Sequence, residues 1–184
     1  MKIPFILKKE CLDFFEFAGE TLDDLDCNAV LPSDVELDVY TSSSEISSCI
    51  KQNLFPHRFS VLQYRMRRGL AKVVVLKTQR ELIAYGWLQS WEPFRRVFAD
   101  ISTQGLMIGP AWTAPEWRGK GVHGLMLTKR IMIAEKVKPI FTFAEENNRA
   151  SISGIERVGF RKIAKVNMVR YFHVLKSAKI VKIR

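Results

Sequence analysis

Histidine and cysteine are scarce in this 184-residue chain, with three of each. Cys11, Cys27 and Cys49 are odd in number, and no two stand at metal-ligand or redox-motif spacing, so neither a disulfide framework nor a zinc knuckle organises the fold. They read as free thiols in a reducing compartment. Long apolar runs are missing as well. Residues 3–7 are too short for a signal-peptide core and no stretch could span a bilayer, which gives the expectation of a cytoplasmic protein without a membrane partner. There is no internal repeat and no low-complexity tract. Acidic side chains are the last shortage, and it is local. Residues 1–40 hold three Lys/Arg and ten Asp/Glu, a net of −7, whereas the remainder holds 26 and nine, a net of +17. Such a field steers anionic partners toward the protein: coenzyme A, nucleotide-linked sugars, nucleic acid or acidic proteins. A cationic polyamine is repelled by it.

With 47% hydrophobic residues the chain can build one domain with a proper core. The most informative stretch is 105–125. An apolar, strand-compatible run ends at Thr113, Pro115 marks a turn, and a basic loop punctuated by glycine opens into a helical segment, 122–136. The first N–H groups of a helix have no intrahelical acceptor and the helix dipole adds positive charge there, so such a junction binds anions. Gly119 and Gly121 remove the Cβ atoms that would hold a phosphate off the backbone, and Arg118 and Lys120 add charge. A sharp turn with two solvated basic side chains is the other reading of these four residues. A Walker loop is excluded, because the Gly-Lys-Ser/Thr frame is absent. The dinucleotide pattern is met literally by Gly119, Gly121 and Gly124, but residues 115–118 separate it from its strand and Pro139 stands where an acidic residue belongs.

Arg118-Gly119-Lys120-Gly121-Val122-His123 resembles the Q/R-x-x-G-x-G/A signature of the GCN5-related N-acetyltransferases, the GNAT superfamily. A second block follows in the right order: Asn148-Arg149-Ala150-Ser151, then Ile155, then Gly159-Phe160, which is similar to the family's N-x-x-A/S helix and its G-F strand start. The resemblance covers about residues 36–175. It implies an α+β fold in three α/β layers: a mixed, mostly antiparallel sheet with helices on both faces and a V-shaped split between two central parallel strands. Residues 1–35 are then an acidic and aromatic extension, and 36–184 the acetyltransferase domain.

The implied activity is transfer of an acetyl group from acetyl-coenzyme A, without a metal, to a primary amine of a small molecule. The basic core makes an amino sugar or nucleotide-linked amino sugar the first choice of acceptor. The implied coenzyme contacts are the strand residues Ala111, Trp112 and Thr113, the loop residues Arg118, Gly119, Lys120, Gly121, Val122, His123 and Gly124, and Asn148 and Ser151 on the later helix. By residue type alone, Asn148 is equally a helix cap. The tyrosine that in the family donates a proton to the leaving thiolate should stand at position 155, which here is isoleucine. Tyr171, Tyr85 and His123 are the substitutes, and Glu145, or a water relay, is the candidate base. This departure keeps two other readings in view: a coenzyme-binding module without chemistry, and a nucleic-acid binder using the Arg65-Met66-Arg67-Arg68 segment, the latter without the aromatic pattern of an RNA-binding motif.

Along the rest of the chain, residues 8–20 read as an amphipathic helix or an irregular apolar arm that covers an edge, folds back on the core or serves a homodimer. A strand is expected over 36–40, helices over 45–52 and 59–68, and a hairpin over 71–77 and 81–91. In the family the loop between those two helices borders the acceptor, so Phe55, His57 and Arg58 are candidate contacts. Residues 92–103 form either a lip over the acceptor or a surface loop. Strands follow at 107–113 and 140–143, with a closing pair at 160–165 and 169–175. The basic tail 176–184 is either a further strand or a solvated end.

Overall fold

The computed structural model describes residues 7–19, 31, 33–46, 59–134, 137–171 and 174–183. Its strands are β1 (Leu7–Phe17), β2 (Glu36–Tyr40), β3 (Ala71–Lys77), β4 (Leu82–Ser90), β5 (Leu106–Thr113), β6 (Ile140–Glu145), β7 (Phe160–Tyr171) and β8 (Val174–Lys182). The helices are α1 (Phe59–Arg67), α2 (Val122–Ile133) and α3 (Arg149–Arg157). Among the described residues the eight strands join one sheet in the order β2-β3-β4-β5-β6-β1-β7-β8, and of these pairings only β5 with β6 is parallel. This is the expected mixed, mostly antiparallel α+β arrangement. The parallel pair comes from α2, which carries the chain across one face and returns it in the same direction.

Residues 7–17 correct the expectation of a separate N-terminal extension. They form neither a helix nor an arm but a strand inside the sheet, with β6 on one side and β7 on the other. A strand covered on both faces shows no alternation. Leu12, Phe14, Phe15 and Phe17 are all buried, and so is Asp13 at 4% exposure, its carboxylate 2.5 Å from Lys162 Nζ on β7. The sequence split at residue 35 therefore does not mark a structural boundary over residues 7–17. The C-terminal half differs in a smaller way. β7 runs on through Tyr171 rather than ending near 167, its partner β8 starts at Val174, and the basic tail supplies most of that last strand.

The core lies on the two faces of the sheet. On one, α2 and α3 cover Phe15, Leu88, Ile108, Ile140 and Phe160 and, farther along, Val74, Leu76 and Ala84. On the other, α1 covers Val73, Val75, Tyr85 and Trp87, and the segment 91–104 covers Phe14, Met107 and Phe141. That segment is neither free nor a simple surface loop. Trp91 Nε1 donates to Ser102 O at 2.9 Å, and Trp91, Phe94 and Phe98 pack into an aromatic cluster around Phe14. Of the expected helix over 45–52, Glu45 and Ile46 are described. The Glu45 carboxylate accepts the Thr41 and Ser42 N–H groups, and neither Glu45 nor Ile46 is helical. Residues 47–58, with Phe55, His57 and Arg58, lie outside the described residues. Among those described, no helix is long and apolar enough to cross a membrane.

Candidate active site

The site begins where β5 and β6 stop pairing. Their rungs are Leu106↔Ile140, Met107↔Phe141 and Ile108↔Thr142, and Thr142 Oγ1 closes the last one by donating to Ile108 O at 2.9 Å. Beyond it β5 continues through Thr113 and β6 through Glu145 without further pairing between them. Pro110 and Ala111 are exposed in consequence, although they stand in the middle of an eight-stranded sheet. The split between parallel strands that the resemblance implied is therefore present. The opposite edge of β5 stays paired with β4, as Gly86↔Ala111, Tyr85↔Trp112 and Ala84↔Thr113. A register shift next to this stretch, between Gly86 and Leu88, makes room for the extra residue of Gly109-Pro110.

The basic loop leads from the end of β5 into α2. Gly119 and Gly121 hold φ of +76° and +79°, left-handed values that side chains resist, and a Cβ at Gly119 would stand in open space. Gly121 is the N-cap and no side chain caps the helix, so the first N–H groups of α2, on Val122, His123 and Gly124, remain available. Arg118 and Lys120 are exposed but positioned. Arg118 Nε donates to Thr113 O at 3.1 Å, tying the loop to the tip of β5. Lys120 Nζ lies 4.7 Å from the Trp117 ring centre, and Trp117 Nε1 donates to Glu81.

The imidazole of His123 points away from this loop. It packs against Gly154 of α3, where a Cβ would come within 2.9 Å of its Cδ2, and its buried Nε2 has no partner. Burial, with the Arg130 charge second, lowers its pKa from 6.5 to about 4. The unfolded chain therefore takes up a proton as pH falls below 6.5 while the folded protein resists until about 4, so this group's contribution to stability is lost as pH falls through that window. Between pH 7 and 4.5, urea unfolding of the wild type should lose roughly 2–3 kcal/mol more than that of His123→Gln. Equal losses would show that the imidazole is not sequestered.

On α3, Asn148 Oδ1 accepts the Ser151 N–H at 3.1 Å, so Asn148 is the helix cap. Ile155, at the position of the missing tyrosine, is buried at 2% exposure among Phe15, Leu127 and Phe160. Of the substitute acids, Tyr85 lies on the α1 face with its ring stacked on Trp112, centroids 5.7 Å apart and planes 21° from parallel. Burial raises its pKa, so the phenol stays protonated. Tyr171 ends β7, but its side chain lies outside the described residues. Glu145 ends β6 and is exposed, lining a cavity of about 610 Å³ together with Cys11, Glu146 and Arg149. The structure thus brings Glu145 and the residues 111–113 to the two lips of the split. Tyr85 packs instead with the residues under α1, against Trp112.

Two polar residues around the split, Arg130 and Gln89, escaped the sequence reading, and a third, Arg65, was read there only as part of a basic surface segment. Arg130 of α2 is fully buried over Gly86, with Nε donating to Met126 O at 2.8 Å and Nη1 lying 3.5 Å from Trp87 O, the residue opposite the register shift. Gln89, 2% exposed, approaches from the other face and donates its amide to Gly109 O. Arg65 of α1 in turn donates to Gln89 Oε1 at 2.5 Å. Gly86, a lone glycine in a strand of bulky residues, was the available signal for a close approach.

No family model matches the chain, and neither does any curated protein. Solved structures do. A Drosophila protein superposes with a TM-score of 0.60 and 18% identity, covering 91% of this chain and 52% of its own. A GNAT-family acetyltransferase from Colwellia psychrerythraea gives 0.56 and 15%, over 90% and 56% of the two chains. A GCN5-related N-acetyltransferase-like protein from Streptococcus suis gives 0.61 and 12%, over 90% and 62%. The chain thus spans between about half and three-fifths of the length of these structures. Their likeness is one of fold, and it extends over nearly all of this chain. By fold, the chain is similar to solved structures named as GCN5-related N-acetyltransferase (GNAT) proteins.

Proposed function

We propose that the protein is an acetyl-coenzyme A-dependent N-acetyltransferase acting on a primary amine of a small molecule. The observation that carries this reading is the unpaired edge of β5 from Gly109 to Thr113, which leads directly to an uncapped helix N-terminus with two left-handed glycines. The first offers sheet-like hydrogen bonds to an extended chain, and the second offers N–H groups to a diphosphate. The residues fit the coenzyme in shape as well. Both glycines open the backbone, and Arg118 and Lys120 are held beside it by Thr113 O and the Trp117 ring.

When bound, acetyl-coenzyme A would supply an activated thioester carbonyl. The chain's part would be to hold that carbonyl against a backbone N–H of 111–113, an interaction of about 3–4 kcal/mol in the transition state, and to fix the amine beside it. Tyr85, kept protonated by burial, is the candidate donor to the departing thiolate, with Tyr171 as the alternative. Glu145, exposed at the end of β6, is the candidate acceptor of the amine proton. His123 is not a candidate, since its imidazole is turned into the α2–α3 interface. An amino sugar or nucleotide-linked amino sugar suits the positive field.

Ile155 supports a second reading, a coenzyme-binding module without chemistry, because the position of the family's acid is filled by core. Release of free thiol from acetyl-coenzyme A in the presence of an amine panel separates the two. Thiol release that depends on amine supports the enzyme. Thermal stabilisation by the coenzyme with no amine-dependent release supports the module, and no stabilisation at millimolar coenzyme sinks both.

A further inference from the structure

Arg65 is the charged side chain at the seam between the two covers of the α1 face. Its guanidinium carbon lies 4.7 Å from the centre of the Phe94 ring, which belongs to the segment 91–104, while its own helix packs over Tyr85 and Trp87. Nη1 donates to Gln89 Oε1, and the Gln89 amide donates to Gly109 O. Gly109 is the first residue of β5 beyond its last rung with β6. One side chain therefore separates the guanidinium from the apex of the split.

Among the described residues no carboxylate compensates the charge on this group. Arg65 makes no ion pair with any of them, and Gln89 is its polar partner. Burial lowers its pKa, yet a guanidinium stays charged at neutral pH. A guanidinium has five N–H donors in a planar fork that matches an oxyanion edge on, and Gln89 takes one side of it. A half-buried, stacked and tethered arginine has lost its side-chain freedom already, so an anion arriving there forms charge-assisted bonds at little further entropic cost.

The remaining donors suit a partner from outside, and the geometry of the split indicates where it would sit. The uncapped helix and basic loop belong to α2, on the opposite face, which is where the coenzyme's phosphates belong on the reading proposed above. The α1 face is left for the acceptor. We propose that Arg65, held by Gln89 and Phe94, is the specificity-determining residue for the acceptor and receives an oxyanion, carboxylate or phosphate, carried by the same small molecule as the reacting amine. This rests on the acetyltransferase reading and narrows its substrate class to anionic amines.

The test uses matched acceptors: glycine against methylamine, β-alanine against ethylamine, and glucosamine 6-phosphate against glucosamine. Two readouts are taken, kcat/KM for thiol release and the melting temperature of the coenzyme A-saturated protein. In the wild type the anionic member of at least one kind of pair is favoured by about 10- to 100-fold and raises the melting temperature, while its neutral counterpart does not. Arg65→Gln abolishes that preference and Arg65→Lys keeps part of it. Arg67→Gln, an exposed arginine on the same helix, leaves it intact. Preference within the amino-acid pairs assigns a carboxylate, and preference within the sugar pair a phosphate. Equal use of neutral and anionic members, a preference that survives Arg65→Gln, or failure of every anionic amine to stabilise the coenzyme-saturated protein overturns the assignment. The coenzyme's own stabilising shift is read first, before any amine is added. Its absence would refute the acetyltransferase reading, and this inference with it, whereas its presence unchanged in Arg65→Gln isolates the acceptor step.

Discussion

Gly121→Glu is expected to leave the protein folded and to weaken acetyl-coenzyme A binding at least about 100-fold, seen as loss of the coenzyme's thermal shift. Two effects of the substitution nearly cancel in the free protein. A side chain at φ +79° costs roughly 1–2 kcal/mol, and a carboxylate at the mouth of α2 regains up to about 1 kcal/mol from the helix dipole. They do not cancel in the complex. The new carboxylate stands where a diphosphate would take its hydrogen bonds, so like charges meet and the open N–H groups are already occupied. Gly69→Ala supplies the control, because Gly69 has a similar φ of +68° and open space around its Cβ. It carries the same backbone cost and should keep the full coenzyme shift. A normal shift in Gly121→Glu would mean that the loop is only a turn.

The loop could be read from the sequence because its physics is local. Pro115, Gly119 and Gly121 specify their own backbone, and the positive φ values at both glycines follow from residue type. The β3–β4 hairpin was legible for the same reason, as Thr78 and the residues around it carry turn chemistry and the flanks carry strand formers. β1 was not legible, since nothing local distinguishes a strand buried on both faces from an apolar arm. The fact that decides it is the pairing of Asp13 with Lys162, far away in sequence. Acidic residues at 10, 13 and 16 read as solvent-facing when Asp13 is in fact inside.

The basic segment 65–68 shows the same limit from the other side. Its charge reads as one surface patch suited to a polyanion, but α1 divides it. Arg67 and Arg68 face solvent, whereas Arg65 turns in to Gln89 and Phe94. Arg130 is the sharper case, because a basic residue on an amphipathic helix is assigned to water by default. Here it lies at 0% exposure against the backbone of Gly86. Both residues take their position from the register shift in β4–β5, a tertiary feature with Gly86 and Gly109-Pro110 as its sparse local marks.

Arg130 also sets the second large effect. A Cβ at residue 86 would meet Arg130 Cζ and Nη1 at 2.6 Å and Nε at 2.8 Å, and a guanidinium under a packed helix has nowhere to swing. Gly86→Val should therefore destabilise the fold by roughly 3 kcal/mol or more, combining overpacking with displacement of a buried charge from the Met126 and Trp87 carbonyls. The cost should depend on the arginine. In an Arg130→Ala background the vacated volume accepts the valine, and the same substitution should cost less than about 1 kcal/mol, a coupling that a double-mutant cycle in urea measures directly. Function should follow the same cycle, because Gly86 pairs with Ala111 and a shift at that rung moves the open edge of β5. Gly86→Val alone should lose the acetyl-coenzyme A shift, and the double variant should regain most of it. If the valine costs the same in both backgrounds, the guanidinium does not rest on Gly86, and the register shift must be held by Gln89 and Gly109 from the other face alone.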